Sequence, residues 1–290
     1  MLHRQLALLL LVFTLALAGC KREPLPADPA IWLVEGAQGE KAWLFGTIHA
    51  SAHPIAWRTP VVANALDQAD EIMVEVANIA DESAVSETFE RLATTPGLPP
   101  LSDRIDPARR KALVDFLKRH KIDEARFGSV ETWAAALVLA QAANPDANAK
   151  NGIDRAVIAL ANGRPVVELE GASGQLALFD GLPENNQRDL LGAVVTDPDA
   201  LENEDNDLTR VWLTGDMARI ERETREGLLA NPDLRAVLFT GRNQRWTARI
   251  AQTMRAGRHP FVAVGAAHMA GPQGLPAMLE AKGFTVTRLH

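Results

Sequence analysis

"WLFGTIH" occupies residues 43–49, and "FVAVGAAH" occupies residues 261–268. Each is an apolar run ending in Gly-x-x-His, and the two histidines, His49 and His268, lie near opposite ends of the chain. Short apolar runs closed by glycine read as buried strands. Upstream of the first, "AIWLVEGAQGEKAWLFGTIH" (30–49) reads as two strands around the turn "EGAQGE", with Trp32-Leu33 and Trp43-Leu44 as paired apolar segments. Around the second, "HPFVAVGAAH", "GLPAMLEAKG" and "FTVTRL" read as strand, helix, strand.

Two further strands are expected between these ends. "EIMVEVAN" (71–78) reads as a short strand ending near Glu75, and "RPVVELEG" (164–171) as a buried strand. Helical spacing covers the rest. "TPVVANALDQAD" (59–70) has a Thr59 cap and Pro60 in the first turn. Helices follow over roughly 81–94, 107–119, 129–143, 153–162, 173–180, 184–195, 205–213, 216–229, 231–239 and 243–257, with a turn-rich link at 144–152. Strands at both ends with helices between predict an α/β (α+β) fold: a central mixed sheet built from N- and C-terminal strands, with a large helical middle section. In such a sheet residues 31–49 and 260–289 become neighbours. His49 and His268 then meet at strand ends, where open α/β sheets bind ligands.

The N-terminus, "MLHRQLALLLLVFTLALAGCK", has one early Arg, an apolar stretch over 5–18 and small residues before Cys20. That layout is a secretory signal, too short to span a membrane comfortably. "LAGC" matches the bacterial lipobox, so residues 1–20 are expected to be a lipoprotein signal with Cys20 as the lipidated residue. Residues 21–30, Pro-rich and charged, read as a tether, and residues 31–290 as a single domain. This places the protein in the bacterial cell envelope, membrane-anchored through lipid and facing the periplasm. Lys21 after Cys20 favours the outer membrane. The chain carries 30 Lys+Arg against 37 Asp+Glu, net −7; removing residues 1–19 deletes one Arg and no acid, giving −8. An acidic chain without a basic patch argues against nucleic acid as a partner.

Cys20 is the only cysteine. Without another, the mature domain has no disulfide, thiolate nucleophile or thiolate metal site. A metal would be held by His, Asp or Glu, and a nucleophile would be Ser, Thr, a carboxylate or an activated water. Glycine lets the backbone turn where it leaves the sheet, so a histidine three residues on projects over the sheet edge as a metal ligand or general base. Glu75 is a carboxylate in an apolar run that needs a partner: a metal, a His⁺ or an arginine. Glu168 and Glu170 share one strand face by period two. In "GRNQRW", Arg242 and Asn243 stand just before an amphipathic helix. Asn243 reads first as its cap, while Arg242 could pair with Glu75 or polarise a substrate carbonyl. No H-E-x-x-H helix, Gly-x-Ser-x-Gly elbow, Walker loop or dinucleotide fingerprint is present.

In order along the chain, "WLFGTIHASAHP", "ALDQADEIMVEVAN", "NGIDRAVIALANGRPVVELEGASGQLALFDGLP", "LFTGRNQRWTARI" and "FVAVGAAHMAGPQGLPAMLEAKGFTVTRL" resemble the TraB/PrgY/GumN family, over roughly 30–290. That family is related to the Tiki membrane metalloproteases and, more distantly, to erythromycin-esterase-like hydrolases and a haem-binding lipoprotein group. The resemblance implies a metal-dependent hydrolase, a peptidase acting on a peptide or protein. His49, His268 and Glu75 would hold a divalent ion (Mn, Co or Zn), with Glu75 as ligand or general base. Arg242 and Asn243 would orient substrate, and Gly46, Asp154, Glu170, Gln175 and Gly265 would support the centre. Two departures stand out: Gly241 where an acidic residue commonly precedes Arg-Asn, and Gly171 where a hydroxyl residue is usual. The alternatives are a non-catalytic lipoprotein that binds a peptide or haem, and a metal-free hydrolase with a His/Glu acid–base pair.

Overall fold

The computed structural model describes residues 23–78, 82–145, 147–196 and 209–290. The expected signal segment, with Cys20, lies outside the described residues. Among those described, no helix is long and apolar enough to cross a membrane.

Strands β2 (Ile31–Glu35) and β3 (Lys41–Thr47) form the expected antiparallel hairpin. They join β5 (Glu71–Val74), β6 (Val166–Glu168), β7 (Pro260–Gly265) and β8 (Thr285–Arg288) in one six-stranded sheet ordered β6-β5-β7-β3-β2-β8. The four strands β6, β5, β7 and β3 run parallel; β2 and β8 close the other edge antiparallel. The architecture is the expected mixed α/β sheet of N- and C-terminal strands around a helical middle. β7, from the far end of the chain, inserts between β3 and β5, with Thr47 opposite Gly265. Strands buried on both faces read as continuous apolar runs, which is why β3 and β7 lack polar alternation.

Each sheet face has its own core. Trp43, Phe45, Ile72 and Phe261 pack on α1 (Pro60–Gln68) and α5 (Ile153–Ala159), together with Trp212. Thr59 caps α1 through the Val62 N–H, as its sequence signal requires. Leu44, Met73, Val262 and Val264 form the other core with Trp246, Ile250, Leu275 and Leu279. A third core lies off the sheet, where α2 (Glu82–Ala93), α3 (Arg110–Arg119), α4 (Thr132–Ala143), α6 (Gly171–Asp180) and α7 (Glu184–Thr196) gather around Leu113, Phe116, Trp133, Leu139 and Leu191. Side chains this completely buried are worth about 1.5–3 kcal/mol each. The helical block therefore has its own cohesion.

Four local expectations change. "RPVVELEG" is a three-residue edge strand, only partly buried, because β6 has a neighbour on one side alone. Glu75 lies just beyond β5 rather than within it. Its carbonyl accepts from the N–H groups of Glu170 and Gly171, so the chains stay zipped past the last ladder pair. Glu170 also lies beyond its strand, so the period-two spacing from Glu168 no longer sets its direction. Finally, part of the tether is docked: β1 (Leu25–Pro26) pairs in parallel with β4 (Ile55–Ala56).

The helices after the middle block are α8 (Met217–Glu223), α9 (Pro232–Arg235), α10 (Gly241–Arg255) and α11 (Leu275–Glu280). Residues Ala236–Thr240 form a π-helical turn that joins α9 to α10. The sequence places a break before Arg242, but the chain stays helical through it. Asn243 consequently sits inside the helix, not at its cap.

Candidate active site

The carboxyl ends of the four parallel strands deliver the polar centre. His49 follows β3, Glu75 follows β5, Glu170 follows β6 and His268 follows β7. Arg242 and Asn243 reach the same place from α10, fully inside the fold.

Arg242 is the hub. Its Nη2 donates to Glu75 Oε2 at 2.5 Å, and its Nε donates to both Glu170 oxygens at 3.1 Å. Nη1 donates to the Leu238 carbonyl at 3.3 Å and to His268 Nε2 at 3.2 Å. The guanidinium also lies 4.5 Å from the centre of the Trp246 ring. π turns concentrate at functional sites, and here one immediately precedes the hub. Gly241 suits it: a Cβ there would meet the Ala236 carbonyl oxygen at 2.8 Å. The departure from an acidic residue at this position thus has a steric reason.

The two histidines play opposite parts. His268 is buried between Phe239 and Trp246, at ring distances of 5.4 and 4.5 Å. Its Nδ1 lies 2.6 Å from Asn243 Oδ1. The Asn243 amide donates to the Gln273 and His268 carbonyls, which turns Oδ1 towards the ring. Nδ1 therefore carries the proton and Nε2 accepts from Arg242. Burial pushes the pKa down to about 3 against the pull of Glu75, with Arg242 adding to the fall. His268 is neutral.

His49 opens into a cavity, with its side chain 61 % exposed there. Its Nδ1 pairs with Asp154 Oδ2 at 2.8 Å. Desolvation pulls its pKa down, but the Asp154 hydrogen bond and the charge of Glu75 outweigh it, and it stands raised, at about 9. Because the ring faces solvent in the cavity, water softens the desolvation; the upward direction is what the Asp154 pairing supports. Burial works against ionisation of Glu75. Against it act the imidazoles of His268 and His49, the Arg242 guanidinium and the Gly265 N–H, which hold its pKa down at about 2. With His268 neutral, the positive charge that does this sits on His49 and Arg242. Glu75 Oε1 accepts from Gly265 N–H at 2.8 Å, and Oε2 also accepts from Gln175 Nε2 at 3.0 Å.

The glycines of the two Gly-x-x-His motifs provide room rather than turns. A Cβ on Gly46 would come within 2.9 Å of the Ala266 backbone. A Cβ on Gly265 would stand 3.3 Å from Glu75 Oε1, 3.7 Å from His49 Nε2 and 3.7 Å from His268 Cδ2. Three site side chains thus converge on one point over Gly265. Gly171 does need backbone freedom, with φ +75°, as the chain turns from Glu170 into α6.

Seven of the ten site positions expected within the domain line this cavity; Glu170 and Asn243 connect to it through Arg242 and His268, and Gly46 packs against Ala266. Phe239, Trp246 and Gln273 are additions. Trp246 lies one helical turn beyond Arg242, so its spacing was a usable signal; nothing local marks Gln273.

The family model for the TraB/PrgY/gumN family matches residues 30–288. The chain belongs to that family. It is 30% identical over 244 residues to a protein described as "Uncharacterized protein YbaP" in Escherichia coli (strain K12), covering 82% of this chain and 87% of that one. A protein of the same description in Shigella flexneri matches to the same extent. No solved structure matches.

The divalent ion that the resemblance implies can be tested against the donors. Among the described residues, no three His, Asp or Glu side chains converge as ligands. Both ring nitrogens of His268 are engaged, and Glu75 Oε2 is shared by two N–H donors. A fixed guanidinium draws on the lone pairs that an ion would need. So arranged, His49, His268 and Glu75 do not fit a metal, and haem ligation through both imidazoles meets the same obstacle at His268.

Proposed function

We propose that this protein is a hydrolase of esters or amides in which His49 is the acid–base catalyst. The observation that carries this reading is the His49–Asp154 pair. Asp154 holds Nδ1, which leaves Nε2 facing the cavity beside Glu75 and Gly265. A carboxylate that fixes the tautomer and orientation of a histidine, and stabilises the imidazolium it forms, is the working arrangement of hydrolytic His–Asp pairs.

In the proposed reaction, His49 Nε2 takes a proton from a water molecule as the oxygen attacks the substrate carbonyl carbon. The carbon–oxygen or carbon–nitrogen bond to the leaving group then breaks, and Nε2 returns the proton to that group. The products are an acid and an alcohol or amine. Glu75 stabilises the imidazolium by its charge. Arg242 and Gln175 keep that charge in place and ionised, and Asn243 keeps His268 a neutral acceptor for Arg242. The lipobox at Cys20 supports placing this activity at the cell envelope, and a peptide or protein substrate is what the family resemblance implies. No step passes through a metal, because the donors do not fit one.

The test is hydrolysis of neutral ester and peptide probes by the full chain and by His49→Ala. Loss of a positioned acid–base group lowers kcat about 10²–10⁴-fold. A His49→Ala variant with undiminished kcat refutes the assignment. A peptide that binds and is recovered intact from wild type points instead to a binding lipoprotein. For the location, Cys20→Ser is expected to move the protein from the membrane to the soluble envelope fraction.

A further inference from the structure

The cavity in front of His49 has a volume of about 960 Å³, far more than the polar centre needs. Its lining combines the polar centre with several large apolar side chains. His49, Glu75, Asp154, Arg242 and His268 stand at the sheet end. Val76, Phe179, Trp212, Ile220 and Leu229 supply most of its apolar lining, with Ser51, His53, Asn144, Thr209, Glu223 and Thr224 among them.

The apolar wall is held rigidly. Gln175, which donates to Glu75, and Phe179 are one turn apart on α6, so one helix face connects the polar centre to this lobe. Phe179 stacks on Trp133 of the helical block, with ring centres 6.3 Å apart and 17° between planes. Leu229 packs in a small cluster with Leu182, Leu234 and Leu238. Trp212 donates its indole N–H to the Gly46 carbonyl at 2.8 Å, so it presents ring rather than donor.

Charge in the lining is already matched. His49 pairs with Asp154 and Arg242 with Glu75, while Glu223 accepts from Arg219 at 2.8 Å; His53 has a partner as well. Thr224 donates its hydroxyl to the Glu221 carbonyl. Among the described residues lining the lobe, no ionised side chain remains for a charged ligand group. A charge carried there would lose hydration without gaining a partner.

We infer that this lobe selects an uncharged, apolar substituent: the alkyl chain of a neutral acyl group or an apolar side chain within a peptide. Phe179 and Leu229 are its specificity-determining residues. A free carboxyl or ammonium terminus is disfavoured, so a peptide substrate is engaged internally and not by its end. This inference rests on the hydrolase reading for turnover, but not for binding.

The experiment uses the full chain and two probes of equal length. One is p-nitrophenyl octanoate; the other is the mono-p-nitrophenyl ester of suberic acid, which ends in a carboxylate. The octanoate is expected to have a kcat/KM about 100-fold higher, since an unpaired buried charge costs at least ~2–3 kcal/mol. In Leu229→Lys that gap is expected to close by about 10-fold or more, because the new ammonium supplies the missing partner. Equal kcat/KM for the two esters in wild type overturns the inference. Calorimetric binding of octanamide and suberamic acid separates the two readings. Octanamide bound in preference to suberamic acid, with neither ester hydrolysed, sinks the hydrolase and leaves the selectivity standing. Suberamic acid bound as tightly as octanamide sinks the selectivity.

Discussion

Replacing Arg242 with Met removes the one cation that two buried carboxylates share. The side chains of Arg242, Glu75 and Glu170 are 10 %, 8 % and 6 % exposed. They therefore belong to the buried regime, in which removing one partner costs about 3–5 kcal/mol, and not to the surface regime of about 0–1 kcal/mol. Burial raises the Glu75 pKa, and Arg242 is one of several neighbours that bring it down. After the substitution Glu75 keeps the Gly265 and Gln175 donors. Glu170 keeps only Arg245, at 3.5 Å and largely in solvent. We expect a loss of about 4 kcal/mol at pH 7 in equilibrium urea unfolding followed by tryptophan fluorescence.

The pH dependence has a definite sign. In wild type, Glu75 has a folded pKa below its unfolded value, so its contribution is present above about pH 4.3 and is lost as the pH falls towards 2. In Arg242→Met one cause of that lowering is gone, so the folded pKa of Glu75 rises and less of its contribution remains to be lost in acid. The difference between variant and wild type is therefore expected to narrow from pH 7 to pH 3. The triple variant Arg242→Met, Glu75→Gln, Glu170→Gln, which leaves no unpaired charge, is expected to regain most of the stability. A cost below about 1 kcal/mol at pH 7, a cost that widens in acid, or no recovery in the triple variant would refute the hub argument.

Other outcomes follow from the same geometry. Hydrolysis in wild type is expected to rise with pH through a limb above the ordinary histidine value, because His49 is raised to about 9 and must lose its proton to act as a base. Asp154→Asn removes two of the causes that raise it, so the limb should move down towards about 6.5 while kcat falls; a limb that stays in place removes Asp154 from the mechanism. Asn243→Leu strips the acceptor from His268 Nδ1 at a fully buried position and is expected to cost about 1–3 kcal/mol. Nitrogen NMR on wild type should show the neutral Nδ1–H tautomer of His268. Thermal midpoints of chelator-treated protein are expected to be unmoved by Mn, Co or Zn. A site saturated at a hundredfold over its Kd would add about 2.7 kcal/mol, so a rise abolished in His49→Ala and His268→Ala would restore the metal reading.

Much of the fold is local information. Apolar runs closed by Gly-x-x-His, the "EGAQGE" turn and the Thr59-Pro60 helix start are written in consecutive residues, because strand burial, turn chemistry and capping act over a few positions. The inward convergence of His49, Glu75 and His268 was also within reach, since parallel strands in one sheet end on the same side. Edge and centre were not distinguishable: "RPVVELEG" is as apolar as an interior strand, and only the sheet order makes it an edge. Asn243 looked like a cap because the π turn that carries the helix past Thr240 depends on tertiary contacts.

What the sequence by itself determined is which side chains stand at the strand ends, and that no thiol occurs after Cys20. What the tertiary structure alone decided is how the two histidines differ. Their local motifs are alike, yet Phe239, Trp246, Arg242 and Asn243 enclose one ring and make it a neutral acceptor, while Asp154 and an open cavity make the other a proton carrier. Protonation is set by burial and by the charges within a few ångströms, and those neighbours come from segments as far apart as residues 154 and 242. No reading of seven consecutive residues contains that information.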